Sequence, residues 1–176
     1  MLRILYPHMY VPSILEIDPM ELKKRGIKAL LMDLDNTIVP RDMEEFSQEV
    51  VVWLKSLNKQ GIKICVVSNN GTTRVNKLVA PLDIPSVVRA VKPRRRAFRK
   101  GMDILGVTHA ETAVVGDQIF TDILGGNRLG LFTILVVPMA GKEFWATSLI
   151  NRRLEKLILK KISRRVSHKD KKYTVR

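Results

Sequence analysis

At 176 residues and 45% hydrophobic content, the chain can bury one substantial core, so a single domain with appendages is the expected organisation. Its one cysteine, Cys65, excludes an internal disulfide and sits in an apolar run, as expected in a reducing compartment. The formal net charge of +14 excludes an acidic or neutral surface but is unevenly spread: residues 142–176 hold 12 Lys or Arg against 3 Asp or Glu, leaving only +5 for the first 141 residues.

No apolar stretch of about 18 residues occurs, and the N-terminus lacks the charged start and long apolar centre of a secretion signal. The expectation is a cytoplasmic protein that does not span a membrane. Internal repeats and low-complexity segments are absent from the sequence.

Residues 1–26 read as an N-terminal extension. Tyr6-Pro7-His8-Met9-Tyr10-Val11-Pro12 is aromatic and broken by proline, suited either to lying along a sheet edge or to docking a lipid. His8 reads as a surface residue, since no second histidine is placed to share a metal with it. Asp18-Pro19-Met20-Glu21-Leu22-Lys23-Lys24 predicts a short capped helix with proline in its first turn.

Ile27 to Leu34 is nearly continuous in apolar residues between Gly26 and Asp35-Asn36-Thr37, which predicts a strand covered on both faces, as in a parallel sheet. Asp33 and Asp35 fall at its carboxyl end, where open α/β sheets place ligand chemistry. A turn beginning at Asp35 would re-aim the second carboxylate and let the two take different roles. On this segment alone, an ordinary Asp-Asn-Thr turn explains the residues equally well.

Later strand ends carry related groups. After a helix expected from about Met43 to Gln60, the strand Ile62–Val67 ends in Ser68-Asn69-Asn70-Gly71, whose hydroxyl and turning amides could hold a phosphoryl oxygen or cap a helix starting near Thr72. The segment Val87 to Pro93 delivers Lys92 just before a helix-opening proline. Thr112 to Val115 forms an apolar strand ending in Gly116-Asp117, with Asp122 five residues on. Either aspartate could serve as a helix cap. Four acids, a serine and a lysine nevertheless gather at successive strand ends.

Asp33-Leu34-Asp35-Asn36-Thr37, Ser68, Lys92-Pro93 and Gly116-Asp117-Gln118-x-x-Thr121-Asp122 match in order the four motifs of the haloacid dehalogenase superfamily of phosphatases, which the chain resembles over residues 27–137. The finer texture from Gly116 to Arg128 resembles the small YqeG-type branch of subfamily IIIA, which is similar to the mitochondrial phosphatidylglycerophosphate phosphatases. The resemblance implies a Rossmann-like αβα sandwich with about five parallel strands. It also implies that Asp33 is the nucleophile, forming an aspartyl-phosphate, and Asp35 the general acid and base. Mg2+ would be held by Asp33, the backbone carbonyl of Asp35 and Asp117, with Asp122 in support. Ser68, with Asn69 and Lys92, would bind the phosphoryl group, Lys92 offsetting the charge shared by Asp33 and phosphate.

The gaps between the motifs leave no room for an inserted domain, so residues 27–141 form a capless core with an open site. That favours a large substrate or one presented at a surface. In residues 142–176, Ile150, Leu154, Leu157 and Ile158 recur at helical spacing among Arg152, Arg153, Lys156 and Lys160. This basic amphipathic helix would either pack on the sheet or meet anionic lipid, followed by a disordered tail. Arg95 and Arg99 lie four apart in a second basic block beside the proposed phosphate site, as a head-group contact or a solvated helix face.

The expected function is phosphatidylglycerophosphate hydrolysis at the inner face of a membrane. The alternatives are a phosphatase of a soluble nucleotide, sugar or protein phosphate, and a nucleic-acid or ribosome-binding protein using the basic tail. Nucleic acid is disfavoured because Tyr173 is the lone aromatic among the last cations.

Overall fold

Alternation along the strands decides which helices cover which side of the sheet. The computed structural model describes residues 2–139 and the two-residue strand Tyr173–Thr174. Six strands run parallel: β1 (Met9–Val11), β2 (Ala29–Met32), β3 (Lys63–Val67), β4 (Ser86–Val87), β5 (Thr112–Gly116) and β6 (Phe132–Val136). Their spatial order is β4-β3-β2-β5-β6-β1, and β7 (Tyr173–Thr174) pairs antiparallel on the outer side of β1. The parallel sheet is therefore one strand larger than the expected five, because Met9–Val11 pairs with Ile134–Val136.

Leu30, Met32, Ile64, Val66, Val115 and Ile134 join one buried cluster with α2 (Gln48–Lys59) and α3 (Thr72–Val79). Leu31, Cys65, Val67 and Val114 join another with α4 (Arg95–Leu105). Neighbouring residues thus feed opposite layers, as the two-residue period of a strand requires. The central strands read as unbroken apolar runs for this reason.

In α2 the buried residues Val50, Trp53, Leu54 and Leu57 fall at helical spacing. Across the sheet, α4 approaches closely at Gly101, where a Cβ would come 2.8 Å from Leu31 Cδ2. The expected early helix is also present: α1 (Pro19–Lys24) has proline in its first turn and Asp18 as its cap, accepting from the Met20 N–H at 2.9 Å.

Several boundaries move for identifiable reasons. Helix α2 begins at Gln48 rather than Met43, because the Ser47 hydroxyl accepts from the Val50 N–H (3.3 Å) and Arg74 binds the carbonyls of Pro40 and Met43 outside the helix. The segment from Val87 to Pro93, expected to deliver Lys92, leaves the sheet after Val87. Its amides turn to the β3 end instead: Arg89 N–H to Asn70 O (2.9 Å) and Ala90 N–H to Ser68 O (3.0 Å). Arg89 and Val91 take positive φ, an arrangement β-branched residues resist and surrounding structure must enforce.

His8 is not a plain surface residue. Its Nδ1 accepts from the Thr133 N–H (3.1 Å), and its ring stacks on Phe132 at 5.0 Å between centroids. Of the lipid-docking and sheet-edge alternatives for its segment, the described structure has the sheet edge. The amphipathic helix expected after Lys142 lies outside the described residues, as does its tail apart from β7.

Candidate active site

Strand β2 stops at Met32, and Asp33 is the first residue beyond it, its N–H still bonded to Val115 O at 2.9 Å. The chain then folds back: Asn36, at φ 59°, donates its N–H to Val39 O at 2.7 Å. This turn separates the two carboxylates. Asp33 Oδ1 accepts from Lys92 Nζ at 2.5 Å, whereas Asp35 accepts from Asn70 Nδ2 at 2.5 Å and from Arg74 Nε at 3.0 Å.

Lys92 also donates to Asp122 Oδ1 at 2.6 Å. The other oxygen of Asp122 accepts from the Thr121 hydroxyl (3.1 Å) and the Gln118 N–H (3.3 Å). A residue larger than glycine at 116 would collide with the Asp122 side chain, which explains Gly-Asp at this strand end. Asp117 Oδ1 accepts from the Thr37 hydroxyl at 3.2 Å, but its Oδ2 is buried with no hydrogen-bond partner among the described residues.

The charge balance is lopsided. Asp33, Asp117 and Asp122 are all buried, and one oxygen from each lies within 4.8 Å of the others. Burial, then the charges of Asp33 and Asp122, pushes Asp117 up to about 8. Burial also raises Asp122 to about 6, although Lys92 opposes it. For Lys92, burial works downward but the charges of Asp122 and Asp33 outweigh it, so its ammonium is held protonated. Asp35 is raised by burial against the opposing pull of Arg74. Three clustered carboxylates, one buried ammonium and an orphaned carboxylate oxygen suit a divalent cation that prefers hard oxygen ligands.

The remaining expected residues divide. Ser68 is buried at the end of β3, its hydroxyl accepting from the Asn70 N–H at 3.1 Å. The Asn69 side chain accepts from the Lys92 N–H at 2.8 Å, so it holds the loop that delivers the lysine. Arg95 and Arg99 are exposed on α4 and take no part in the hydrogen bonds and ion pairs of these carboxylates among the described residues. Thr37, Asn70 and Arg74 were not singled out from the sequence. Thr37 lies within the first motif and Asn70 in the loop Ser68-Asn69-Asn70-Gly71, whereas Arg74 resembles any arginine in the first turn of a helix.

Fold and site together define a parallel α/β protein with an acidic centre, suited to a divalent cation, at the sheet's carboxyl edge. A family model described as haloacid dehalogenase-like hydrolase matches residues 43–130, and one described as mitochondrial PGP phosphatase matches residues 2–80. The chain is 38% identical over 159 residues to the probable phosphatase YqeG of Bacillus subtilis (strain 168), covering 90% of this chain and 92% of that one. It is 28% identical over 170 residues to phosphatidylglycerophosphate phosphatase 1, chloroplastic/mitochondrial, of Arabidopsis thaliana, covering 88% of this chain and 47% of that protein. Among solved structures, an uncharacterized protein from Listeria monocytogenes serotype 4b shares the fold at a TM-score of 0.53 and 17% identity, covering 77% of this chain and 100% of that one. The chain belongs to the haloacid dehalogenase-like hydrolases and is a phosphatase. Its expected resemblance to the YqeG-type branch is borne out.

Proposed function

We propose that the chain is a magnesium-dependent phosphomonoesterase that hydrolyses phosphatidylglycerophosphate to phosphatidylglycerol and inorganic phosphate through an aspartyl-phosphate. The observation that carries the chemistry is the separation of roles at one strand end: Asp33 on Lys92 within the acidic cluster, Asp35 turned away onto Asn70 and Arg74. Asp33 attacks phosphorus while Asp35 protonates the departing alcohol; Asp35 then takes a proton from the water that releases phosphate from Asp33. Lys92 and Ser68 bind phosphoryl oxygens.

Asp33, Asp117 and the backbone carbonyl of Asp35 would hold Mg2+, with Asp122 in support. When bound, the ion supplies the positive charge that lets a carboxylate approach a phosphate. The reading is supported by the orphaned Asp117 oxygen and by the family.

The lipid assignment is supported by the curated relatives named for that substrate and by the absence of any domain inserted between β2 and β4. Arg95 and Arg99 would receive the substrate's second phosphate. The site would meet its substrate at the inner face of a membrane. No helix of the described residues is long and apolar enough to cross one.

The test is phosphate release from phosphatidylglycerophosphate in mixed micelles against a panel of soluble phosphomonoesters, with and without Mg2+. The lipid should be preferred by at least tenfold in kcat/KM. Asp33→Asn should abolish release while the protein still folds, as read by circular dichroism. Substantial turnover by this variant would refute the nucleophile, and preference for a soluble ester would refute the substrate alone.

A further inference from the structure

The guanidinium of Arg74 has three nitrogens, and each binds a different acceptor. Nε donates to Asp35 Oδ1 at 3.0 Å, one terminal nitrogen to Met43 O at 2.9 Å and the other to Pro40 O at 3.3 Å. The second oxygen of Asp35 is taken by Asn70 Nδ2. Both donors come from the chain that follows β3, so the carboxylate is gripped from one side at both oxygens. The same cation anchors the loop that follows Asp35 in sequence.

From this geometry we infer that Arg74 is a positioning residue, setting the orientation of Asp35 for proton transfer and tying the loop at 40–43 to the same carboxylate. The inference rests on the assignment of Asp35 as acid and base in the proposed function. An ordinary surface ion pair contributes little, and this one would be unremarked if its acceptor were any other carboxylate. What distinguishes it is the acceptor and the fork. A proton donor works within hydrogen-bond reach of the oxygen it serves, and small misplacements are costly in rate.

Asp35 is 16% exposed at its side chain, so without the grip it has room to rotate toward solvent. Only arginine offers three planar nitrogens in fixed relation; lysine would keep the charge but not the three directions. A neighbouring loop tie, Lys77 to Glu44, is made by the same helix without touching Asp35 and serves as a control.

The proton balance makes the effect visible. As the Asp33–phosphorus bond forms and the ester P–O bond breaks, the Asp35 proton passes to the departing oxygen. As water attacks the aspartyl-phosphate, one of its protons passes to Asp35 and the Asp33–phosphorus bond breaks. A nitrophenolate leaves without a proton; an alkoxide does not.

The experiment compares glycerol 3-phosphate, phenyl phosphate and p-nitrophenyl phosphate for the parent, Arg74→Gln, Arg74→Lys, Lys77→Ala and Asp35→Asn proteins with Mg2+. Since kcat/KM reports the steps through alcohol departure, Arg74→Gln should lose on the order of 30- to 100-fold on the alkyl ester and under about threefold on p-nitrophenyl phosphate. On the latter, kcat should still fall, with a burst of nitrophenolate, because hydrolysis of the intermediate retains its need for a base. Arg74→Lys should fall between parent and Arg74→Gln, and it carries the test if the glutamine variant does not fold. Lys77→Ala should match the parent.

Equal losses across the three esters would overturn the inference in favour of a structural role, and parental rates in Arg74→Lys would reduce it to charge alone. If Asp35→Asn shows the leaving-group dependence and the Arg74 variants do not, the inference fails while the acid assignment stands. If Asp35→Asn lacks it, the acid assignment itself fails.

Discussion

Replacing Lys92 with methionine would remove the only cation bonded to Asp33 and Asp122 among the described residues while nearly conserving volume. The two contacts are 2.5 and 2.6 Å. At an effective dielectric of about 20, unit charges at that separation attract by roughly 6 kcal/mol per pair. Desolvating the ammonium offsets much of the sum, so the net cost of breaking such a buried group is about 3–5 kcal/mol. That is a large fraction of the ~5–15 kcal/mol that holds a domain folded, and corresponds to a melting temperature lower by on the order of 10 °C.

The loss has a pH signature. With the lysine gone, nothing from Lys92 opposes the burial that raises Asp117 and Asp122, so these two hold protons that the unfolded chain has already released, and the deficit grows as pH rises and shrinks toward pH 5. Melts of Lys92→Met and parent from pH 5 to 8 in EDTA, repeated with Mg2+, measure it. The deficit should be largest at pH 8 in EDTA and be reduced by Mg2+. A variant melting with the parent at pH 8 would refute the electrostatic argument; a deficit constant across the series would assign the loss to packing.

Two further outcomes follow from the same cluster. Asp117 and Asp122 are raised to about 8 and about 6, so the metal-free folded state binds more protons than the unfolded chain between the ordinary carboxylate range and about pH 8. Stability without metal should therefore fall as pH rises through that window, and the stabilisation by saturating Mg2+ should grow with it, as read by thermal melts; an increment independent of pH would refute the coupling. Gly116→Ala should lower stability by about 1–3 kcal/mol and kcat by at least tenfold, because its methyl collides with Asp122; denaturant titration and turnover at parental levels would show that the strand end yields without cost.

Much of the site was legible because its residues follow apolar strands and so sit at ends that the strand pattern locates. Asp33, Ser68 and Asp117 are of this kind. Lys92 was found by motif, although its strand is only two residues long and the rest of the expected segment bonds to the loop after β3. Arg74 was invisible for the opposite reason: a helical arginine has many acceptors within reach, and only tertiary structure brings Asp35 and the two carbonyls to one guanidinium. The sixth parallel strand is hard to read from the sequence because Pro7 and Pro12 bracket only four residues, too few for a period to register.

The placement of β1 changes what counts as a removable segment. Met9 and Val11 are 2% and 0% exposed, and the strand covers the edge of β6, while Asn127 grips the carbonyls of Ile4 and Tyr6 at 2.7 and 2.9 Å. A fragment beginning at Ile27 would retain every residue of the acidic cluster yet leave the hydrogen-bonding edge of an apolar central strand open to other chains. Such an edge templates association. The first two dozen residues thus cover an edge that would otherwise be open to pairing, and truncation at Ile27 should raise the tendency to associate, as read by sedimentation.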